Sequence, residues 1–227
     1  MYGEDPLRLY LLFVLDNQEL TGGVSMLTAR ERLRGLIDER CLDTGRDFVL
    51  STGERSRFYF DCKKITLEGD ALVLVADLML EEIDKLPEYP EAIGGLTIGA
   101  DFIVAAVILR AYQLGRPTIH GSIARKERKT HGTMNWVENV LAPGTKIAVV
   151  DDVLTSGKST LQACERFEEE NYSIVGVIGL VDREREAPER EILRKKYKHV
   201  NALFSWREFP RLEQYLSGEN NKAAASR

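Results

Sequence analysis

Short apolar runs alternate with helical patterns along most of this chain. The runs have the length of β-strands and cover five segments: 91–96, 117–124, 146–152, 174–182 and 200–204. Several are apolar at nearly every position, as strands buried on both faces are. Strands that alternate with helices in this way predict an α/β fold, with a parallel sheet covered by helices on both sides.

The segments between these strands carry helix signals. They are 28–40, 68–86, 99–115, the residues after the loop at 151–159, and 187–198. Thr28 and Glu31 have the spacing of a capping box, which marks a helix start, and Gly115 stands where a glycine commonly ends a helix. Residues 48–61 are instead typical of two short strands around a turn at 52–54.

Both ends of the chain differ from this pattern. The apolar run at 7–15 is too short to span a bilayer and lacks the basic start of a signal peptide, so we expect a docked helix or a subunit contact there. The tail at 219–227 has the composition of a disordered terminus. Neither an internal repeat nor a linker divides residues 1–227, which predicts a single domain without a membrane span.

The composition is that of a protein with a hydrophobic core, because 44% of the residues are hydrophobic and 30% are charged. The net charge of −5 argues against a general nucleic-acid partner, which favours a basic protein. The three cysteines, Cys41, Cys62 and Cys164, have neither zinc-ligand spacing nor the even number of a disulfide framework. Free thiols indicate a reducing compartment, so we expect a cytoplasmic protein.

Three segments with chemical interest begin at the ends of predicted strands. They are Gly94-Gly95, Asp151-Asp152 and Asp182-Arg183. In open α/β sheets, ligands bind at the carboxyl edge, where the ends of parallel strands meet. We therefore expect these segments to form one composite site.

The most informative part of that site is the stretch 151-DDVLTSGKST-160. Gly-Lys-Ser closes the nucleotide P-loop signature, but the glycine required five residues before Gly157 is Asp152, so the signature is not met. A loop of small residues that enters a helix still presents backbone N–H groups to a phosphate monoester. The side chains of Thr155, Ser156 and Ser159 add hydroxyl donors.

The acidic pair Asp151-Asp152 allows three interpretations. The carboxylates suit the vicinal hydroxyls of a ribose, or they bind magnesium directly, or they merely end a strand before a tight turn. The first interpretation fits the adjacent phosphate loop best. A diol beside a phosphate monoester describes a ribose 5-phosphate.

Four segments together resemble a known family. Residues 147–160 are similar to the phosphoribosyl pyrophosphate (PRPP) signature of type I phosphoribosyltransferases. Residues 48–61 resemble the N-terminal hood motif of orotate phosphoribosyltransferases, 125–132 their mobile catalytic loop, and 180–184 their base-binding segment. The likeness covers most of residues 28–205, in the family's order.

This resemblance implies a type I phosphoribosyltransferase fold, with a small hood at about 25–65 and a core at about 66–205. It implies an enzyme that transfers the 5-phosphoribosyl group from PRPP to orotate and releases orotidine 5'-monophosphate and pyrophosphate. Mg²⁺ is the expected cofactor, held mainly by the substrate and without a direct protein ligand. A homodimer is also implied, in which the loop 125–137 reaches the site of the other subunit.

The same resemblance assigns roles to individual residues. Lys129 and Asp152 are the expected catalytic residues. The residues expected to bind PRPP are Arg125, Lys126, Lys129, His131, Asp151, Asp152, Val153, Leu154, Thr155, Ser156, Gly157, Lys158 and Ser159. Those expected to bind orotate are Thr155, Arg183, Tyr59 and Phe60. An arginine suits this role because a guanidinium binds a carboxylate through two hydrogen bonds.

Two departures from the family pattern remove positive charge from the expected pyrophosphate site. Ser51 and Ile98 stand where the family usually has lysines, and Arg55 or Lys63 are candidates to compensate. The departures leave two alternatives to orotate transfer: a transferase for another base, or a non-catalytic module that senses PRPP. Retention of Lys129 and His131 favours an enzyme, since a sensor does not need groups that stabilise a leaving pyrophosphate.

Overall fold

The structure of the protein is a computed structural model, which describes residues 27–49, 55–127 and 135–225, with side chains up to residue 218. The apolar run 7–15 and the candidate residues Ser51, Lys129 and His131 lie outside the described residues. Within the described part of the chain, every helix is too short or too polar to cross a membrane.

The first described elements form the hood. Helix α1 (Ala29–Leu36) begins with the predicted capping box of Thr28 and Glu31, and it continues as a short π-helix, Ile37–Cys41. Four two-residue strands follow: β1 (Leu42–Asp43), β2 (Phe48–Val49), β3 (Arg55–Ser56) and β4 (Tyr59–Phe60). Strands β2 and β3 pair as the predicted hairpin, and β1 pairs with β4. The short helix α2 (Lys63–Thr66) leads from the hood into the core.

Six further strands form the central sheet. They are β5 (Ala92–Leu96), β6 (His120–Ala124), β7 (Val137–Glu138), β8 (Lys146–Leu154), β9 (Ser173–Asp182) and β10 (Val200–Ser205). Their order across the sheet is β10-β9-β8-β5-β6-β7. Neighbouring strands are parallel except at the edge, where β7 runs antiparallel to β6. The predicted parallel sheet is therefore confirmed, and one antiparallel edge strand is added to it.

Helices cover both faces of this sheet, as the sequence predicts. They are α3 (Gly69–Ile83), α4 (Asp101–Gln113), α5 (Lys158–Glu169) and α6 (Pro188–Lys196). In the central strand, Ala148 and Val150 pack in the cluster that contains α3 and α4, whereas Ile147 and Val149 pack in the cluster that contains α5 and α6. Side chains alternate between the two faces of a strand. A strand covered on both faces is therefore apolar at successive positions.

Two helix ends bear on the sequence predictions. Helix α4 ends in a Schellman motif: Gly115 has φ +64°, its N–H donates to the Tyr112 carbonyl (3.1 Å), and the N–H of Arg116 donates to the Ala111 carbonyl (3.0 Å). The prediction for Gly115 is confirmed. Helix α7 (Pro210–Ala225) extends into the segment 219–225, whose composition is that of a disordered terminus. Alanine has the highest helix propensity, and three alanines stand in succession there.

Gly94 shows how closely β5 approaches its surroundings. A Cβ atom at this position would lie 2.2 Å from the carbonyl oxygen of Ser122 on β6 and 2.6 Å from Cζ of Phe167 on α5. Real Cβ atoms essentially never lie within 3.0 Å of a heavy atom outside their own residue and its two chain neighbours. The Ser122 oxygen belongs to the backbone, so it cannot move away without disturbing the sheet.

Gly94→Ala is therefore expected to lower the free energy of unfolding by about 1–3 kcal/mol or more, as overpacked cores do. Gly35 provides the control, because it lies in α1 and a Cβ there would meet no heavy atom within 4 Å. Gly35→Ala is expected to raise the free energy of unfolding by about 0.5–1 kcal/mol, since alanine loses less backbone freedom in a helix. Urea denaturation measures both. Equal effects of the two substitutions would contradict the close approach at Gly94.

Candidate active site

A cavity of about 460 Å³ opens at the carboxyl ends of β5, β8 and β9. The sheet side of its wall comprises 96–99, Lys126, 151–153, 155–159, Gln162 and Arg183, and the hood side comprises Val49, Tyr59, Phe60 and Lys63. The structure thus brings the acidic pair, the phosphate loop and Arg183 to one site, as predicted. Gly94 and Gly95 themselves lie buried within β5, and the wall is formed by the residues that follow them.

Asp151 is the buried member of the acidic pair, with 6% of its surface exposed. Its Oδ2 accepts hydrogen bonds from the Thr160 hydroxyl (2.7 Å) and the Ser159 hydroxyl (3.1 Å), and its Oδ1 accepts the N–H of Asp152 (3.0 Å). Burial is the main cause that raises the pKa of Asp151 to about 7, and the charge of Asp152 is the second cause. The hydrogen bonds to the carboxylate lower the pKa but do not offset these two effects. Much of its acceptor capacity is therefore taken up by the protein.

Asp152 is the member that opens toward the cavity. Its side chain is 15% exposed, and Oδ2 lies 3.9 Å from Nζ of Lys63 in the hood. Gly99 lies against the same carboxylate, since a Cβ at Gly99 would be 2.9 Å from Oδ1 of Asp152. The two adjacent carboxylates thus have different surroundings, a difference that the sequence does not indicate.

The phosphate loop leads from β8 into helix α5. Gly157 caps this helix with φ +80°, and a Cβ there would lie 2.9 Å from Cδ1 of Leu193 on α6, so both conformation and space favour glycine. The Ser156 hydroxyl accepts the N–H of Lys158 (3.4 Å). The helix N-terminus behind the loop adds partial positive charge. Such a loop is able to hold a phosphate.

Some residues of the predicted set do not line the cavity. Leu154 is 1% exposed, its side chain packs against Gly179, and only its carbonyl oxygen acts near the site, accepting the N–H of Arg183 (2.9 Å). Arg125 forms an ion pair with Glu138 (2.6 Å), while the next residue, Lys126, does line the cavity. Among the described members of the predicted PRPP set, Leu154 and Arg125 are the two outside the wall.

Arg183 extends from the end of β9 and is held by the hood. Its Nη2 donates to the Ser56 hydroxyl (2.9 Å), and its guanidinium lies 4.3 Å from the centre of the Phe58 ring. Phe58 in turn stacks on Trp206 at a centroid distance of 5.7 Å. Burial lowers the pKa of Arg183 from its usual value, but an arginine remains charged at neutral pH. The arrangement holds a planar cation in the cavity wall.

The turn that carries Arg183 is supported by charged side chains. Asp182 forms an ion pair with the buried Arg190 of α6, and its Oδ1 accepts the N–H of Glu184 (2.6 Å). The Glu184 carboxylate accepts hydrogen bonds from Ser205 (2.7 Å) and Arg207 (2.7 Å). Arg190 also lies against the phosphate loop, because a Cβ at Gly157 would be 3.5 Å from its Cα. One buried arginine therefore contacts both sides of the site.

Comparison with known proteins identifies the family. The orotate phosphoribosyltransferase of Synechocystis sp. is 41% identical over 160 residues, which cover 70% of this chain and 78% of the relative. That of Aquifex aeolicus is 36% identical over 181 residues, covering 79% of this chain and 96% of the relative. The chain belongs to the orotate phosphoribosyltransferase family. No family model matches it.

Solved structures of orotate phosphoribosyltransferases have the same fold. The Mycobacterium tuberculosis H37Rv enzyme in complex with Fe(III) dicitrate has a TM-score of 0.66 and 26% identity, and the alignment covers 81% of this chain and 99% of that one. The Aeropyrum pernix enzyme has a TM-score of 0.64 and 26% identity, with coverage of 81% and 98%. The predicted family and fold class are confirmed.

Several residues of this orotate phosphoribosyltransferase site were not predicted from the sequence. Three of them contribute to the site indirectly. Thr160 contacts Asp151, Ser56 contacts Arg183, and Trp206 contacts Phe58. Thr160 follows directly on the predicted phosphate loop, and Ser56 lies within the hood motif. Trp206 has no local sequence signal, because it meets Phe58 only in the folded chain.

The pKa of Asp151 leads to a prediction about stability. A carboxyl group whose pKa rises on folding favours the folded state at low pH, and this contribution is lost as the pH rises through the pKa in the folded state. Asp151→Asn removes the buried charge, so the variant is expected to unfold at a higher temperature than the wild type at pH 8. The gain should disappear as the pH falls toward about 4, near the usual pKa of an aspartate. Thermal unfolding between pH 4 and pH 8 measures it, and a pH-independent difference would contradict the burial of the charge.

Proposed function

We propose that the protein transfers the 5-phosphoribosyl group from PRPP to orotate and releases orotidine 5'-monophosphate and pyrophosphate. This proposal rests on the presence of three chemical groups in one cavity. A phosphate loop, a partly buried carboxylate that faces the cavity and an arginine held in the wall line the same space. These groups match the 5-phosphate, the ribose and the carboxylate of orotate, respectively.

PRPP binds across the end of β8. The 5-phosphate accepts hydrogen bonds from the backbone and hydroxyl groups of Thr155 to Ser159, with the dipole of α5 behind it. The carboxylate of Asp152 accepts the ribose hydroxyls, and Asp151 supports the strand end from below through its contacts to Ser159 and Thr160. The cofactor is Mg²⁺, which binds mainly through substrate phosphates in sites of this kind. The carboxylate of Asp152 faces the cavity, so a Mg²⁺ ion that arrives with the substrate meets a negative charge there.

Orotate binds between the hood and Arg183. The guanidinium is already oriented by Ser56 and Phe58, so little side-chain freedom is lost when it binds the base's carboxylate. Tyr59 lines the same side of the cavity. Phe60 is 2% exposed and packs against Phe209, with 5.1 Å between the ring centroids, so it supports the wall of the pocket from the protein interior. Thr155 lies in the wall nearby and completes the base site.

The reaction breaks the bond between C1 of the ribose and pyrophosphate. Positive charge builds on the sugar while negative charge builds on the leaving group, and the carboxylate of Asp152 stabilises the former. Lys129 and His131, on the loop 125–137, stabilise the departing pyrophosphate together with Lys126. The enzyme acts as a cytoplasmic homodimer in which this loop reaches the partner's site. Family membership and the sequence of the loop support this part of the proposal.

Arg183 determines the choice of base. Arg183→Gln is expected to lower kcat/KM for orotate roughly 10- to 100-fold, the effect of losing hydrogen bonds to a charged group. Activity with uracil, which lacks the carboxylate, should change little. The control is Arg194→Gln, which removes an exposed arginine of α6 that pairs with Glu186 in the segment before that helix. Steady-state assays with orotate, uracil, adenine and hypoxanthine measure the preference. A purine as the best substrate would indicate a transferase for another base.

Substitution of Lys129 distinguishes between an enzyme and a non-catalytic PRPP sensor. The charge of this lysine acts when pyrophosphate departs, so Lys129→Ala is expected to lower kcat about 10²–10³-fold and to change the affinity for PRPP only modestly. Arg128→Ala removes a neighbouring charge from the same loop and serves as the control. Turnover and calorimetric PRPP affinity give the two values. If the wild-type protein binds PRPP but releases no pyrophosphate with any base, the sensor interpretation is correct.

A further inference from the structure

Lys63 is a cation of the cavity wall that lies outside the proposed 5-phosphate and orotate sites. It begins the short helix α2, directly after the hood strands, and its side chain is 39% exposed. Its Nζ lies 3.9 Å from Oδ2 of Asp152 and 3.5 Å from Oδ1 of Asp61. Both distances exceed the 2.7–2.9 Å or so of a strong charge-assisted hydrogen bond. The ammonium group is therefore loosely held and free to reorient toward a ligand.

The ion pair with Asp152 does little for the stability of the fold. Pairs between partly exposed charges contribute little, because water screens them and the lysine side chain loses freedom. The next residue, Lys64, is exposed on the same helix and is not part of the cavity wall. The position of Lys63 in the cavity, rather than its ion pair, therefore distinguishes it from its neighbour.

Positive charge is unevenly distributed around the cavity wall. On the described wall, the other cations are Lys126, Lys158 and Arg183, and Arg183 is already held by Ser56 and Phe58. The adjoining segment 96–99 has no charged side chain, and Ile98 within it is 51% exposed. A polyanion in the cavity beside this segment and Asp152 would meet one carboxylate and an uncharged wall. The ammonium group of Lys63 lies beside this region, 3.9 Å from Oδ2 of Asp152.

We infer that Lys63 binds the pyrophosphate group of PRPP and of the product. In the free protein its ammonium group neutralises Asp152. When PRPP enters, the ammonium group contacts the pyrophosphate oxygens and the carboxylate of Asp152 accepts the ribose hydroxyls. The same side chain thus offsets the charge of Asp152 in the free protein and the charge of the pyrophosphate in the complex. This inference rests on the proposed function, because it requires a pyrophosphate-bearing substrate in the cavity.

Binding measurements with three probes test it. Calorimetry is carried out with PRPP, inorganic pyrophosphate and ribose 5-phosphate, each with Mg²⁺, on the wild type, Lys63→Gln, Lys63→Arg and Lys64→Gln. Lys63→Gln is expected to weaken binding of PRPP and pyrophosphate about 10-fold or more, as the loss of one charged contact does. Ribose 5-phosphate, which lacks the pyrophosphate, should bind within about 2-fold of the wild type, which corresponds to less than half a kcal/mol. Lys63→Arg should keep most of the PRPP affinity, and Lys64→Gln should keep all of it.

The outcomes separate the inference from the function on which it rests. If Lys63→Gln weakens ribose 5-phosphate as much as PRPP, the lysine acts only through Asp152 and the inference is overturned. If Lys63→Gln and Lys64→Gln have equal affinities for PRPP, the position of Lys63 has no importance and the inference is again overturned. A wild-type protein that binds ribose 5-phosphate but neither PRPP nor pyrophosphate overturns both the inference and the proposed function.

Discussion

A buried carboxylate joins the end of the central strand to the start of the helix that follows it. Asp151 is the buried ionisable residue of β8, and its partners Ser159 and Thr160 are in the first turn of α5. Because these contacts hold the strand and the helix close together, residues 152–158 form a tight loop, with Gly157 at positive φ. The position of the loop that would hold a phosphate, and the direction in which Asp152 points, both follow from this contact.

The second half of the site is built onto the first through α6. Arg190 is buried beside Gly157 and pairs with Asp182, which stands one residue before Arg183. An arginine inside a protein is tolerated only when its charge is paired, and removal of one partner of such a pair is strongly destabilising. The distance between the phosphate loop and the base side of the cavity therefore depends on a packed helix and not on a flexible connection.

Much of this arrangement is predictable from the sequence, because it is local. The apolar pattern of β8 and β9 indicates buried parallel strands, and the change to aspartate at their ends indicates the edge where a ligand binds. The different surroundings of Asp151 and Asp152 are not predictable in this way, since adjacent residues of a strand face opposite sides and only the packing shows which side is filled. The support of Arg183 by Ser56 joins residues 127 positions apart, so no local pattern indicates it.

The two halves of the cavity are supported by very different amounts of backbone pairing. In the described part of the hood, each ladder that positions Ser56 and Phe58 is two residues long, whereas β8 and β9, which carry the acidic pair and the phosphate loop, contain nine and ten residues. Local opening costs least where few backbone hydrogen bonds and few packed contacts must be broken. Local opening under heat or denaturant would therefore begin at the β2–β3 hairpin, where Val49 is 74% exposed. It would release Ser56 from Arg183 while the acidic pair and the phosphate loop stay folded, so the choice of base would be lost before the hold on a sugar phosphate.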